Sequence, residues 1–160
     1  VTGNAHLIRT ECTMPRTISP TAVVSTVSSD AHTWNLIFLE LLLTETGYRV
    51  HNVGACVPDE LLIETCRTRN PHLLVLSSVN GHGAIDAERL IKRLRTVPEL
   101  AALPTAVGGK LGTDGESGLS TRRRRLTRAG FTAVFEGAAA VARFQTFARG
   151  VRDSVQGSQP

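Results

Sequence analysis

Leu73-Leu74-Val75-Leu76-Ser77-Ser78-Val79-Asn80-Gly81-His82-Gly83 is the stretch on which the fold turns. Four consecutive apolar residues end in two serines and a glycine-bearing turn. A helical pattern follows from about Ala84 to Arg95, with Leu90, Ile91 and Leu94 facing inward. An unbroken apolar strand has no solvent face, so it belongs in the middle of a parallel sheet covered on both sides. Upstream, Asp59 to Arg69 reads as a helix whose Asp59 and Glu60 suit the positive end of its dipole, entered through Gly54 and Pro58. Helix, buried strand, turn and helix in succession are the parts of a βαβ unit.

The same alternation extends in both directions. Ala22 to Val27 is expected as the first strand, and Trp34 to Thr46 as a helix with Leu36, Ile37, Leu39 and Leu43 on its inner side and Gly47 as its stop. Tyr48 to Val53 is the second strand, Thr105-Ala106-Val107 a short fourth, and Phe131 to Phe135 the fifth. A helix reaching about Ala129 and a last one over Ala138 to Val155 complete the set. The expectation is an α/β, doubly wound, five-stranded parallel sheet of flavodoxin-like (Rossmann-like) order 2-1-3-4-5, with right-handed crossovers. Residues 1–20 read as an N-terminal extension, 21–155 as the domain and 156–160 as a disordered tail.

At 160 residues the chain fits one domain, with 41% hydrophobic and 20% charged residues, the balance of an ordinary globular protein. Its apolar runs are too short to span a bilayer, and no basic segment leads into an apolar N-terminal core, so the reading is cytoplasmic, with no membrane association. Cys12, Cys56 and Cys66 have neither disulfide-framework nor metal spacing and are expected as free buried thiols. The net charge of +4 is concentrated in Arg122-Arg123-Arg124-Arg125 and Arg128. With few aromatics nearby, that run reads as a solvated helix face or a subunit contact, and no nucleic-acid partner is expected.

In an open parallel sheet, ligands bind beyond the carboxyl ends of the strands. Three loops meet there: Ser29-Asp30-Ala31-His32, Ser77-Ser78-Val79-Asn80-Gly81 and Gly108-Gly109. Asp30, two residues before His32, can accept a proton from one imidazole nitrogen and leave the other as a lone-pair donor to a metal. A single histidine is too few protein ligands for zinc, but it suffices where a macrocycle supplies the equatorial set. Taken alone, Ser77 also reads as a strand-end cap, the glycine pair as a plain turn, and Phe135 as core packing.

These residues resemble the cobalamin-binding domain family, most of all the small subunits of glutamate (methylaspartate) mutases. That family carries Asp-X-His-X-X-Gly after the first strand, Ser-X-Leu after the third and Gly-Gly after the fourth. The matching stretches are Asp30-Ala31-His32-Thr33-Trp34-Asn35, Ser77-Ser78-Val79 and Gly108-Gly109. Gly81-His82-Gly83-Ala84-Ile85-Asp86 and Gly47 to Gly54 also resemble it, and the likeness covers about residues 21–150. Asn35 replaces the motif glycine and Val79 the leucine. Asn35 therefore puts a side chain where the family leaves room.

The resemblance implies adenosylcobalamin bound base-off, with His32 as the cobalt ligand and the nucleotide tail threaded between sheet and helices. The cofactor-binding residues it implies are Ser29, Asp30, Ala31, His32, Thr33, Asn35, Ser77, Ser78, Val79, Gly81, Gly108, Gly109, Lys110, Leu111 and Phe135. It further implies an isomerase component, active only with a larger TIM-barrel subunit that carries the substrate site, interconverting glutamate and 3-methylaspartate or a relative. Two other readings stay open: a non-catalytic cobalamin carrier or sensor for methyl transfer or regulation, and an interaction module that has lost the cofactor. A phosphoacceptor receiver is excluded by the missing acidic cluster at the strand ends.

Overall fold

Five parallel strands carry the molecule: β1 (Thr21–Thr26), β2 (Arg49–Gly54), β3 (Leu73–Ser78), β4 (Thr105–Gly109) and β5 (Ala133–Phe135), in the order β2-β1-β3-β4-β5. The computed structural model describes residues 19–158. Most of the expected N-terminal extension, with Cys12, and residues 159–160 of the expected tail lie outside them. All of β3 is buried, and it occupies the centre of the sheet, as its apolar run requires.

Successive strand residues point to opposite faces, and that alternation divides the core in two. Val23, Leu74, Leu76 and Val107 face one cluster, with helices α2 (Asp59–Arg69), α3 (Gly83–Arg95) and α4 (Leu119–Ala129) packed on it through Leu62, Leu90, Ile91, Leu94 and Leu126. Val24, Val75 and Ala106 face the other, covered by α1 (Trp34–Glu45) and α5 (Ala140–Gly157) through Leu36, Leu43, Phe144 and Ala148. Tyr48 precedes β2 instead of joining it, and its hydroxyl donates to the Ala148 carbonyl at 2.8 Å, tying the β2 edge to α5.

Several expectations need correction. Ile37 is 58% exposed, and Leu42 takes the inward place assigned to it. At 100° per residue Leu42 falls next to Asn35, on the side of the helix that also carries Leu39, whereas Ile37 lies opposite them with Trp34 and Leu41. The helix is apolar on both sides, so its period alone does not say which side is covered. Gly108 and Gly109 belong to β4 itself, paired with Ser77 and Ser78 of β3, rather than to a loop after it. α5 continues two residues past Val155, so residues 156–157 are helical rather than tail. Cys66 is a buried free thiol, but Cys56 is exposed, at a positive φ of 54°. Two short 3-10 turns, Pro98–Leu100 and Gly115–Gly118, had no periodic signal to announce them.

The arginine run is also not uniformly solvated. Arg122 is buried, and its guanidinium reaches Glu136 at 3.2 Å and the Asp114 carboxylate, joining α4 to the end of β5 and to the segment after β4. Arg125 pairs with Glu88 of α3. No described helix is long and apolar enough to cross a membrane.

Candidate functional site

The loop leaving β1 is shaped around one carboxylate. Asp30 is fully buried. Its Oδ1 accepts the His32 backbone N–H at 2.9 Å and the imidazole Nδ1 at 2.7 Å. Its Oδ2 accepts the Ser78 hydroxyl at 2.8 Å and the Val79 N–H at 2.6 Å, bridging to the end of β3. Its carbonyl takes the Thr26 hydroxyl at 2.6 Å and the Cys56 N–H at 3.1 Å. Burial pushes the Asp30 carboxyl up, but the N–H groups of His32 and Val79, the His32 imidazole and the Ser78 hydroxyl outweigh it and hold the pKa down to about 2.

An ionised carboxylate only accepts, so Nδ1 of His32 carries a proton, and in the neutral imidazole it is Nε2 that holds the lone pair. The imidazole is half exposed while its partner is buried, so Nε2 is the presented end. The ring is held in one tautomer and one direction, as a metal-ligating histidine needs. No group of three or more histidine, cysteine, aspartate or glutamate side chains able to hold an ion exists among the described residues. A metal served by His32 must therefore bring its other ligands with it.

Beside this loop, between α1, α5 and the carboxyl ends of β3 and β4, a cavity of about 330 Å³ opens. It falls at the small end of the range for small-molecule sites. Asn35, Ser77, Val79, Gly108, Gly109 and Phe135 all line it. Gly108 and Gly109 are demanded first by the fold. A Cβ on Gly108 would come within 2.6 Å of the Phe135 carbonyl, and one on Gly109, at φ +112°, within 2.2 Å of the Ser78 carbonyl. The same bare backbone then forms the cavity floor. Phe135 stacks edge-on against Phe144 with ring centroids 5.5 Å apart, giving the cavity an aromatic wall.

Asn35 is 5% exposed and faces Ser77, to whose Oγ its Nδ2 donates. Its Oδ1 has no hydrogen-bond partner. It is the one buried side-chain polar atom among the described residues in that position, and such a group costs about 1–3 kcal/mol when left unmatched.

The remaining expected site residues lie elsewhere. Ala31 and Thr33 are exposed, and Thr33 serves through its carbonyl, which accepts the Leu36 N–H at 3.1 Å to start α1. Ser29 donates to Asp86 and accepts from Asn80, fastening its loop to α3. Gly81 and Lys110 join the two turns above the sheet, the Gly81 N–H donating to the Lys110 carbonyl at 3.2 Å. Leu111 is buried in the core on the α2–α3–α4 side, away from the cavity.

Sequence reasoning missed Phe38, Leu39, Ala140, Val141 and Phe144 as wall residues and named Trp34 only within the motif stretch and as the start of α1. The apolar character of α1 on both sides was the signal for Trp34 and Phe38. Nothing in the period of α5 set Val141 or Phe144 apart from core.

Comparison with known proteins matches residues 20–144 to the B12 binding domain family. A glutamate mutase sigma subunit of Halobacterium salinarum is 32% identical over 72% of this chain and 76% of its own length. That of Carboxydothermus hydrogenoformans is 31% identical over 71% of this chain and 81% of its own. In three dimensions the chain superposes on the monomethylamine corrinoid protein of Methanosarcina barkeri with a TM-score of 0.67 at 18% identity over 84% of this chain; it spans 58% of that protein's length. A response regulator of Chloroflexus aurantiacus gives 0.64 at 19% identity, over 85% of this chain and 99% of its own. At such identities the two superpositions speak for the fold alone.

Proposed function

Because the chain belongs to the B12-binding domain family, we propose that it is the cobalamin-holding small subunit of a two-component carbon-skeleton mutase. The cofactor is adenosylcobalamin, held base-off with His32 Nε2 as the lower ligand of the cobalt. The observation that carries this reading is the Asp30 carboxylate bound to His32 Nδ1 at 2.7 Å, which leaves a single directed nitrogen beside an apolar cavity. The residues present suit the group: one histidine for a metal already ringed by a macrocycle, and an apolar, aromatic-walled cavity with two polar side chains for a nucleotide tail.

Ser77 and Asn35 would hold the base of the tail, Gly108 and Gly109 would let it lie against backbone, and Phe135 would pack on its flank. Asp30 would orient His32 and support its basicity as a ligand. Bound adenosylcobalamin supplies a cobalt–carbon bond that breaks homolytically to start radical chemistry. This chain's share is to bind the cofactor, point the imidazole and cover the tail.

The substrate site belongs on a larger TIM-barrel partner. Support comes from the sigma-subunit names of the relatives and from the apolar residues Trp34, Ile37 and Leu41, each more than half exposed on α1 directly after His32. The substrate pair is glutamate and 3-methylaspartate, or a near relative. Hydroxocobalamin titrated into the protein should shift the corrin absorption as the His32 imidazole replaces the benzimidazole nitrogen of the tail on the cobalt, and His32→Ala should lack that shift. An unchanged spectrum in the wild type, or the same shift in His32→Ala, overturns the assignment. Addition of a barrel subunit, adenosylcobalamin and glutamate should then yield the rearranged amino acid.

A further inference from the structure

The cavity walls are apolar except at one corner, where two side chains of different elements meet. Asn35, in the first turn of α1, gives its Nδ2 proton to Ser77 Oγ at the end of β3, and its Oδ1 remains buried with nothing to accept from. Ser77 Oγ accepts that bond with one of its two lone pairs and keeps its own proton to offer. The corner therefore brings an unmatched acceptor and a hydroxyl donor side by side, on two residues that both line the cavity. The motif glycine of the family has no counterpart to that acceptor.

We propose that Asn35 determines which base the nucleotide tail carries: it selects a cobamide whose base bears an N–H or O–H donor as well as a ring-nitrogen acceptor, such as a purine, over one ending in dimethylbenzimidazole. The inference rests on the cobalamin-binding reading above. A ring slid between Phe135 and the α1 side chains gains the same apolar contact whether or not it carries a donor. The difference arises at the corner. A base with an exocyclic amine satisfies Oδ1 while its ring nitrogen takes the Ser77 proton. Dimethylbenzimidazole has an acceptor nitrogen for Ser77 but only methyl groups and C–H edges for Oδ1, which then stays stranded in a site the ligand has dried. Sites built to hydrogen-bond a group discriminate against analogues that lack it for this reason. Asn35 acts on binding and selectivity, and His32 coordination should be indifferent to it.

The test uses the full chain and three aquo-corrinoids: cobinamide, which has no nucleotide, the dimethylbenzimidazolyl cobamide and the adeninyl cobamide. Dissociation constants are read from the absorption change on imidazole coordination. The wild type should bind the adeninyl form about 5- to 10-fold more tightly than the dimethylbenzimidazolyl form, the worth of one ordinary hydrogen bond. Asn35→Leu, which keeps the volume without the polar atoms, should reduce the preference to under about 2-fold, and Asn35→Gly should do the same. Cobinamide should bind wild type and variants alike, which together with a cooperative thermal melt shows that the fold and His32 are intact. Equal affinities in the wild type, a preference for dimethylbenzimidazole, or a preference that survives in both variants overturns the role of Asn35 while the cofactor reading stands. No spectral change with any of the three corrinoids, cobinamide included, overturns both.

Discussion

Asp30 links two loops with one side chain, Oδ1 serving His32 and Oδ2 serving Ser78 and Val79. Asp30→Asn keeps the shape but turns half of the acceptor into a donor that faces N–H and O–H groups. Loss of the partner that orients a ligating histidine should weaken cobalamin binding by about 10- to 100-fold, measured by the same titration. The carboxylate also gives stability a pH dependence. Its folded pKa of about 2 lies below the ordinary aspartate value of 3.8, so between these values the unfolded chain binds more protons. Its contribution, on the order of 2 kcal/mol, is complete above about pH 4 and is lost as pH falls toward 2. Urea denaturation of wild type and Asp30→Asn across pH 2–6 should show the two stability curves converging at the acid end. Curves that stay parallel would refute the assignment. The Asp30–His32 spacing was legible in the sequence because the partners are two residues apart; the reach of Oδ2 to Ser78 and Val79, on another strand, was not.

At the level of elements, α1 separates a core face from an exposed apolar face, and substitutions on the two should differ sharply. Leu43→Ala empties a fully buried site and should cost about 2–5 kcal/mol, whereas Ile37→Ala, on the exposed face, should stay within about 0.5 kcal/mol. Chemical denaturation of the two variants decides it. α4 makes the same distinction among like residues. Arg122 is buried against Glu136, and Arg122→Ala leaves that carboxylate buried and short of a partner, at a cost of about 3–5 kcal/mol, while Arg124→Ala on the exposed side should be nearly silent. Four arginines in a row carry no mark of which one turns inward. That choice is set by where Glu136, at the end of β5, meets the helix.

On the scale of the whole molecule, the cavity is a gap between α1 and α5 over the sheet, and filling it should stabilise the fold as a unit. Hydroxocobalamin at about 100 times its Kd should add about 2.7 kcal/mol and raise Tm by several degrees, with a smaller rise for His32→Ala. A calorimetric scan that finds no rise in the wild type contradicts binding to the native state. The sequence by itself determined the class and the strand order. Apolar runs with period 2 or 3.6 and turn residues between them are local properties, and β3 announced its central place because every residue in its run is apolar. It determined the loop constellation too, since the topology sends the ends of β1, β3 and β4 to one edge. Only the tertiary structure decided that Asn35 reaches Ser77 across 42 positions of chain and leaves one oxygen unmatched. It alone decided that Leu42 rather than Ile37 is covered, and that the two glycines are required by the carbonyls of Phe135 and Ser78 before any ligand is considered. Periodicity says which residues share a face, but which face is covered and which polar atoms meet depend on how far apart the helices sit on the sheet, a distance that no local pattern encodes.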